Sequence, residues 1–131
     1  MHTGSCLCGK IQYTIDGELG PIICCHCKRC RKSSGTAFVT SIPISRASFH
    51  VTAGKDLIKA YRNEGGVDRA FCFDCGSQLF STRASTPDIM RIRLGTLDTP
   101  IHSKVSSHIF TASKAEWYDI LDEAPQYAER P

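Results

Sequence analysis

Short runs in which apolar and polar residues alternate dominate the chain. Ile11, Tyr13 and Ile15 are separated by polar neighbours, the period-two signature of a strand with one buried face. Residues 38–44, 48–51, 57–61, 70–73, 78–81 and 89–94 read the same way. Turn-forming residues punctuate them at Asp16-Gly17, Gly20-Pro21, Ala53-Gly54, 63–66, Thr86-Pro87 and Thr99-Pro100. Many short strands divided by turns predict a mainly β fold, and the lack of strand–helix–strand alternation argues against a doubly wound parallel sheet. Two short helical stretches interrupt the pattern. Residues 28–34 would form one, with Gly35 as its left-handed stop. Ser113-Lys114-Ala115-Glu116 reads as a capping box opening a second, whose apolar face would be Trp117, Ile120 and Leu121. With no repeat and no long linker, residues 1–131 are expected to be one domain.

Composition narrows the class. The longest apolar stretch, residues 21–25, is far short of the ~20 residues that cross a bilayer. The N-terminus lacks the apolar segment of a secretory signal and the C-terminus lacks a lipidation signal, so a soluble, cytoplasmic chain without membrane partners is expected. A net charge of +3 is too mild, and too little clustered, for a dedicated nucleic-acid binder. Eight cysteines are the strongest compositional signal. In a reducing compartment they point to metal binding or catalysis instead of disulfides.

The cysteines fall into three groups: Cys6 and Cys8; Cys24, Cys25, Cys27 and Cys30; and Cys72 and Cys75 followed by Gly76. Cys-x-x-Cys is the spacing of a zinc knuckle, in which a tight turn aims two sulfurs at one ion. Soft thiolates favour zinc, with an iron–sulfur cluster as the minor alternative. Two groupings fit the spacing. Cys27 and Cys30 could join Cys72 and Cys75 as a ribbon, stranding Cys6 and Cys8. Alternatively, Cys6, Cys8, Cys72 and Cys75 could close a four-sulfur site, leaving Cys25, Cys27 and Cys30 as a trio with an open fourth position. Three protein ligands and a vacancy are the pattern of a catalytic zinc.

At this point the chain resembles the glutathione-dependent formaldehyde-activating enzyme family, which includes the centromere-protein-V-like proteins. The matching pieces are GSCLCGKIQY (4–13), CHCKRCRKSSG (25–35), GKDLIKAYR (54–62), RAFCFDCGSQL (69–79), LGTLDTP (94–100) and the C-terminal segment with His108, Ile109 and Trp117. The resemblance implies a β-tent of zinc-stapled antiparallel sheets with one or two short helices. It also implies the second grouping: Cys6, Cys8, Cys72 and Cys75 around a structural zinc, and Cys25, Cys27 and Cys30 at an open, catalytic zinc. Two zinc ions and a small thiol such as glutathione are the implied cofactors and partner. The implied reaction is a carbon–sulfur lyase step that forms or cleaves S-hydroxymethylglutathione from glutathione and formaldehyde. Cys24 is not part of the motif and is expected to be a buried strand residue.

The open site suits thiol chemistry, since zinc deprotonates a coordinating thiol. Around it, Lys28, Arg29, Arg31 and Lys32 either hold the carboxylates of a glutathione-like peptide or form a solvated face. His26 is expected to point away from the trio. His108 is read as a surface or packing residue or, alternatively, a proton shuttle. Phe71, Phe73 and Phe80 are expected around the structural zinc, and Arg91 and Arg93 on an exposed strand face. The competing function is a non-catalytic zinc module for protein or nucleic-acid binding, in which His26 or Cys24 would fill the fourth position.

Overall fold

The computed structural model describes residues 1–131. It contains ten strands in two sheets and one α-helix, so the mainly β expectation holds. In chain order the elements are β1 (His2–Ser5), β2 (Gln12–Ile15), β3 (Ile22–Cys25), α1 (Lys28–Ser34), β4 (Val39–Ser45), β5 (Phe49–Ala53), β6 (Ile58–Asn63), β7 (Val67–Cys72), β8 (Gln78–Arg83), β9 (Thr86–Arg93) and β10 (Val105–Ile109). No helix is long and apolar enough to cross a membrane.

The chain divides into two compact units. The first comprises Met1–Gly20 and Ile42–Ile101. In it β2 pairs antiparallel with β1 and with β5, and β6 to β9 form an antiparallel meander. The alternation read from the sequence is a burial pattern here: Ile11, Tyr13 and Ile15 are buried while Gln12 is exposed. Tyr13 stacks on Phe49 at 5.1 Å and its hydroxyl meets Thr96 Oγ1 at 2.6 Å. A Cβ at Gly4 would fall 2.2 Å from the Tyr13 ring, so glycine is what lets β1 lie against that side chain.

Gly54 is a second obligatory glycine. Its φ of +75° is left-handed, and an added Cβ would lie 2.3 Å from the Lys10 carbonyl oxygen. Neither atom can yield without moving backbone. Gly54→Ala is therefore expected to lower stability by more than about 2 kcal/mol, strain and overlap acting together. Urea denaturation checks this, and an unchanged midpoint would contradict it.

The second unit comprises Pro21–Ser41 and His102–Pro131. In it β3 is flanked by residues 39–41 of β4, antiparallel, and by β10, parallel. Ser106 bulges out of the β10 ladder, and its hydroxyl accepts the Ile22 N–H at 3.1 Å. The C-terminal segment lies along β10, where His108 N donates to Pro125 O and Tyr127 N to His108 O, each at 2.9 Å.

The helix predicted at 28–34 forms with those bounds, and Gly35 ends it at φ +71°. The second predicted helix does not form. Thr111–Ser113 makes a single 3₁₀ turn, and Lys114 Nζ donates to the carbonyls of Ala115 and Tyr118, taking the place of a helical ladder. Trp117 and Leu121 are 67% and 90% exposed, so the expected apolar face is not a packing surface. Arg93 departs from expectation too: it is buried, its guanidinium donating to Ser81 Oγ and the Arg91 carbonyl.

Candidate metal centres

No disulfide joins any of the eight cysteines. Seven of them collect into two groups, each within a single compact unit.

In the first unit, Cys6, Cys8, Cys72 and Cys75 place their sulfurs within 4.8 Å of one another. Two similar tight turns bring them there. After β1, Gly9 N donates to Cys6 O at 3.0 Å, and Ile11 N reaches Cys6 Sγ at 3.3 Å. At the end of β7, Gly76 N donates to Cys72 O at 2.8 Å. Gly9 and Gly76 both take positive φ, at 78° and 76°, which is why each turn closes on glycine. The turns are tied together by Leu7 N donating to Ser77 Oγ at 2.8 Å and by the Lys10–Asp74 ion pair at 2.6 Å.

The sulfur spacing fits a tetrahedral ion. Cys6 and Cys8 Sγ are 3.5 Å apart, and Cys8 and Cys72 Sγ are 3.9 Å apart. A regular tetrahedron built on ~2.3 Å zinc–sulfur bonds has edges of about 3.8 Å. The thiols are also unevenly poised. Hydrogen bonding with the Ser77 side chain and backbone brings Cys75 down to about 5. The backbone of Lys10 lowers Cys8, but burial and the three neighbouring sulfurs outweigh it and push Cys8 up to about 11. Four sulfurs at this separation cannot all ionise without a cation among them. Cys6, Cys72, Ile11 and Leu79 form one buried cluster with Phe80 packed against it. Phe73, expected beside them, is 65% exposed, with Lys59 Nζ 5.8 Å above its ring.

In the second unit, Cys25, Cys27 and Cys30 gather their sulfurs within the same 4.8 Å limit. Cys25 ends β3. Cys27 is the N-cap of α1 in extended conformation, and its sulfur accepts the Cys30 N–H at 3.4 Å. One helical turn thus delivers two ligands, and the strand end delivers the third. The neighbouring sulfurs of Cys27 and Cys30 push the Cys25 thiol strongly upward, so the three can ionise together only with a cation among them. The set comprises three donors. Neither Cys24 nor His26 belongs to it. Cys24 is buried on the opposite face of β3, its sulfur 3.8 Å from Thr40 Oγ1, in line with the expectation for it.

His26 points into the unit's interior and is fully buried. Its backbone N–H donates to Ile109 O at 3.0 Å, and its Nε2 lies 2.8 Å from His108 Nδ1. His108, also buried, places Nε2 2.9 Å from an Asp122 carboxylate oxygen. Phe38 sits 4.9 Å from the His26 ring and Tyr118 sits 6.4 Å from it. Burial first, then the nearby charges of His108, Lys114 and Arg31, brings His26 down to about 4. The hydrogen bond from His108 holds the Asp122 carboxyl below its ordinary range. Asp122 went unnoticed in the sequence, as no spacing rule links it to residues 14 and 96 positions away. Of the surface and packing readings of His108, the structure shows the packed one, with a polar network around it.

The helix α1 also carries an open cleft of about 270 Å³ lined by Lys28, Arg31, Lys32, Gly35, Thr36 and Trp117. Arg31 Nη1 donates to Ser113 O at 3.0 Å, fixing the guanidinium along its wall. Arg29 is not among the lining residues.

The model of the glutathione-dependent formaldehyde-activating enzyme family matches residues 1–113. The chain belongs to that family. All seven grouped cysteines lie within the matched span. Two relatives whose names place them provisionally in this same family are a Penicillium rubens protein, 28% identical over 75 residues, and a Pyrenophora teres f. teres protein, 29% identical over 75 residues. Each alignment covers 57% of this chain but only 39% and 40% of those proteins, so the family member described here matches less than half of either relative. The crystal structure of a Rhodobacter sphaeroides protein shares the fold, with a TM-score of 0.66 at 18% identity over 79% of this chain and 96% of that one.

Proposed function

We propose that this family member is a zinc-dependent carbon–sulfur lyase that forms or cleaves S-hydroxymethylglutathione. The observation that carries the reading is the Cys25, Cys27 and Cys30 group, three sulfurs with no fourth protein donor, two of them at the start of the helix whose Lys28, Arg31 and Lys32 line a cationic cleft. In this reading residues 1–131 work as one functional domain. Cys6, Cys8, Cys72 and Cys75 hold a structural zinc, and Cys25, Cys27 and Cys30 hold the second. When bound, the second ion supplies a Lewis-acidic position that favours the ionised form of a substrate thiol. A reducing compartment such as the cytoplasm suits both sets of thiolates.

The reaction joins the thiol sulfur to the formaldehyde carbon while the carbonyl π bond breaks. The thiol proton ends on the new hydroxyl oxygen, and cleavage is the exact reverse. The chain's contribution is to hold the sulfur and the aldehyde together. Lys28, Arg31 and Lys32 attract the carboxylates of glutathione, and Trp117 offers a flat apolar wall for its backbone. Their charge also offsets the net negative charge that three thiolates leave around a divalent ion.

The direct test is the exchange rate between formaldehyde and its glutathione adduct, followed by NMR with zinc-loaded protein. Acceleration over the spontaneous rate supports the proposal, and a rate equal to the protein-free control overturns it. A narrower prediction concerns Arg31→Ala. Removing one charge-assisted hydrogen bond should raise KM for glutathione about tenfold while changing kcat little. An uncharged thiol such as 2-mercaptoethanol should show no such rise. An unchanged KM for glutathione would remove Arg31 from the substrate's path.

A further inference from the structure

We infer that Asp122 and His108 are positioning residues for the three-sulfur group: through His26 they fix the turn that carries Cys25 and Cys27. The inference rests on the proposed reading that this group holds a metal ion.

His26 is the residue between two of the three ligands, so any swing of its backbone moves both sulfurs. It is tied at two points to β10, by its amide to Ile109 O and by its ring to His108. His108 is fixed in turn by the Asp122 carboxylate, and Asp122 Oδ1 also accepts the Ala124 N–H at 3.0 Å. A carboxylate only accepts, so it sets the ring orientation of His108 and thereby the face His108 presents to His26. Outer hydrogen-bond partners orient metal ligands in this way.

Stability alone does not account for the arrangement. His26 sits among Phe38, Tyr118 and His108, where its ring incurs a desolvation cost that a phenylalanine would not, although a phenylalanine would leave His108 Nδ1 without its partner. Its Nδ1 is buried with no hydrogen-bond partner, a cost that the structure carries at this position. A polar chain kept at such a cost beside a ligand pair is accounted for by the orientation it imposes.

Asp122 is the place to test this, because its side chain is 46% exposed and its removal opens no core. Cadmium-loaded Asp122→Ala is compared with the unaltered chain by cadmium-113 NMR, which separates four-sulfur from three-sulfur sites, with chelator competition giving each site's affinity. The trio should bind about 10- to 100-fold more weakly, the four-cysteine site should be unchanged, and the melting temperature should fall only slightly, as an exposed carboxylate's bonds are lost. Asp122→Asn, whose amide oxygen still accepts from His108, should recover most of the affinity. His26→Phe, which leaves His108 Nδ1 buried without its partner, should melt lower yet lose affinity only at the trio. Unchanged trio affinity in both Asp122→Ala and His26→Phe would overturn the inference while leaving the proposed function standing. Parallel weakening of both sites would also overturn it, as a loss of fold. An unaltered chain that takes up only one ion would overturn both.

Discussion

Cys72→Ser is expected to yield a chain that does not fold. Cys72 is completely buried at the end of β7, in register with Ile58 and packed with Cys6, Ile11 and Leu79. Its sulfur lies 3.9 Å from that of Cys8, 64 positions earlier, so the proposed structural ion closes a long loop as well as a site. Such an ion contributes on the order of 10 kcal/mol, against a total stability of about 5–15 kcal/mol for an ordinary domain. Serine removes a ligand and buries a hydroxyl in an apolar cluster, so both changes act in the same direction. Insolubility, or a circular dichroism spectrum without sheet signal, is the expected observation. A soluble variant with an unchanged melting temperature and two ions would contradict the structural role.

Cys27→Ser is expected to abolish turnover while leaving the fold in place. The difference follows from local structure. Cys27 is the N-cap of α1 and accepts the Cys30 N–H. Serine is among the preferred N-caps, so the helix start survives at a cost below about 1 kcal/mol. The three-sulfur group drops to two, and the catalytic contribution proposed for its metal, several kcal/mol, is lost, which makes a rate loss of at least about a hundredfold. Zinc content should fall from two ions to one. If Cys27→Ser and Cys72→Ser were equally unfolded, the division into a structural and a reactive site would be wrong.

The strands legible in the sequence are those with one wet and one dry face. β2, β4, β5 and β8 each form within a few residues of the predicted alternation, since burial on one face imposes it, whereas β6 forms where predicted although none of its residues is buried. β1 and β10 were missed because their own residues are mostly polar: the sequences HTGS and VSSHI carry no apolar alternation. β10 is held by its parallel partner β3 and by His108, whose burial depends on partners far along the chain. The capping box at 113–116 failed because the Lys114 side chain takes up backbone carbonyls that a helix would have used, while nothing covers Trp117 or Leu121. The cysteine groups could be read because ligand pairs are local, and one turn fixes each spacing. The Asp122–His108–His26 chain could not, because it is made by tertiary approach alone.

The measurement that bears most directly on the account is zinc quantification coupled to X-ray absorption, with and without glutathione. Two zinc ions per chain are expected, with an average of about 3.5 sulfurs per ion as purified. Glutathione should raise that average to about 4 as its thiol completes the smaller site. A single ion per chain, or a sulfur count that glutathione leaves unchanged, would contradict it.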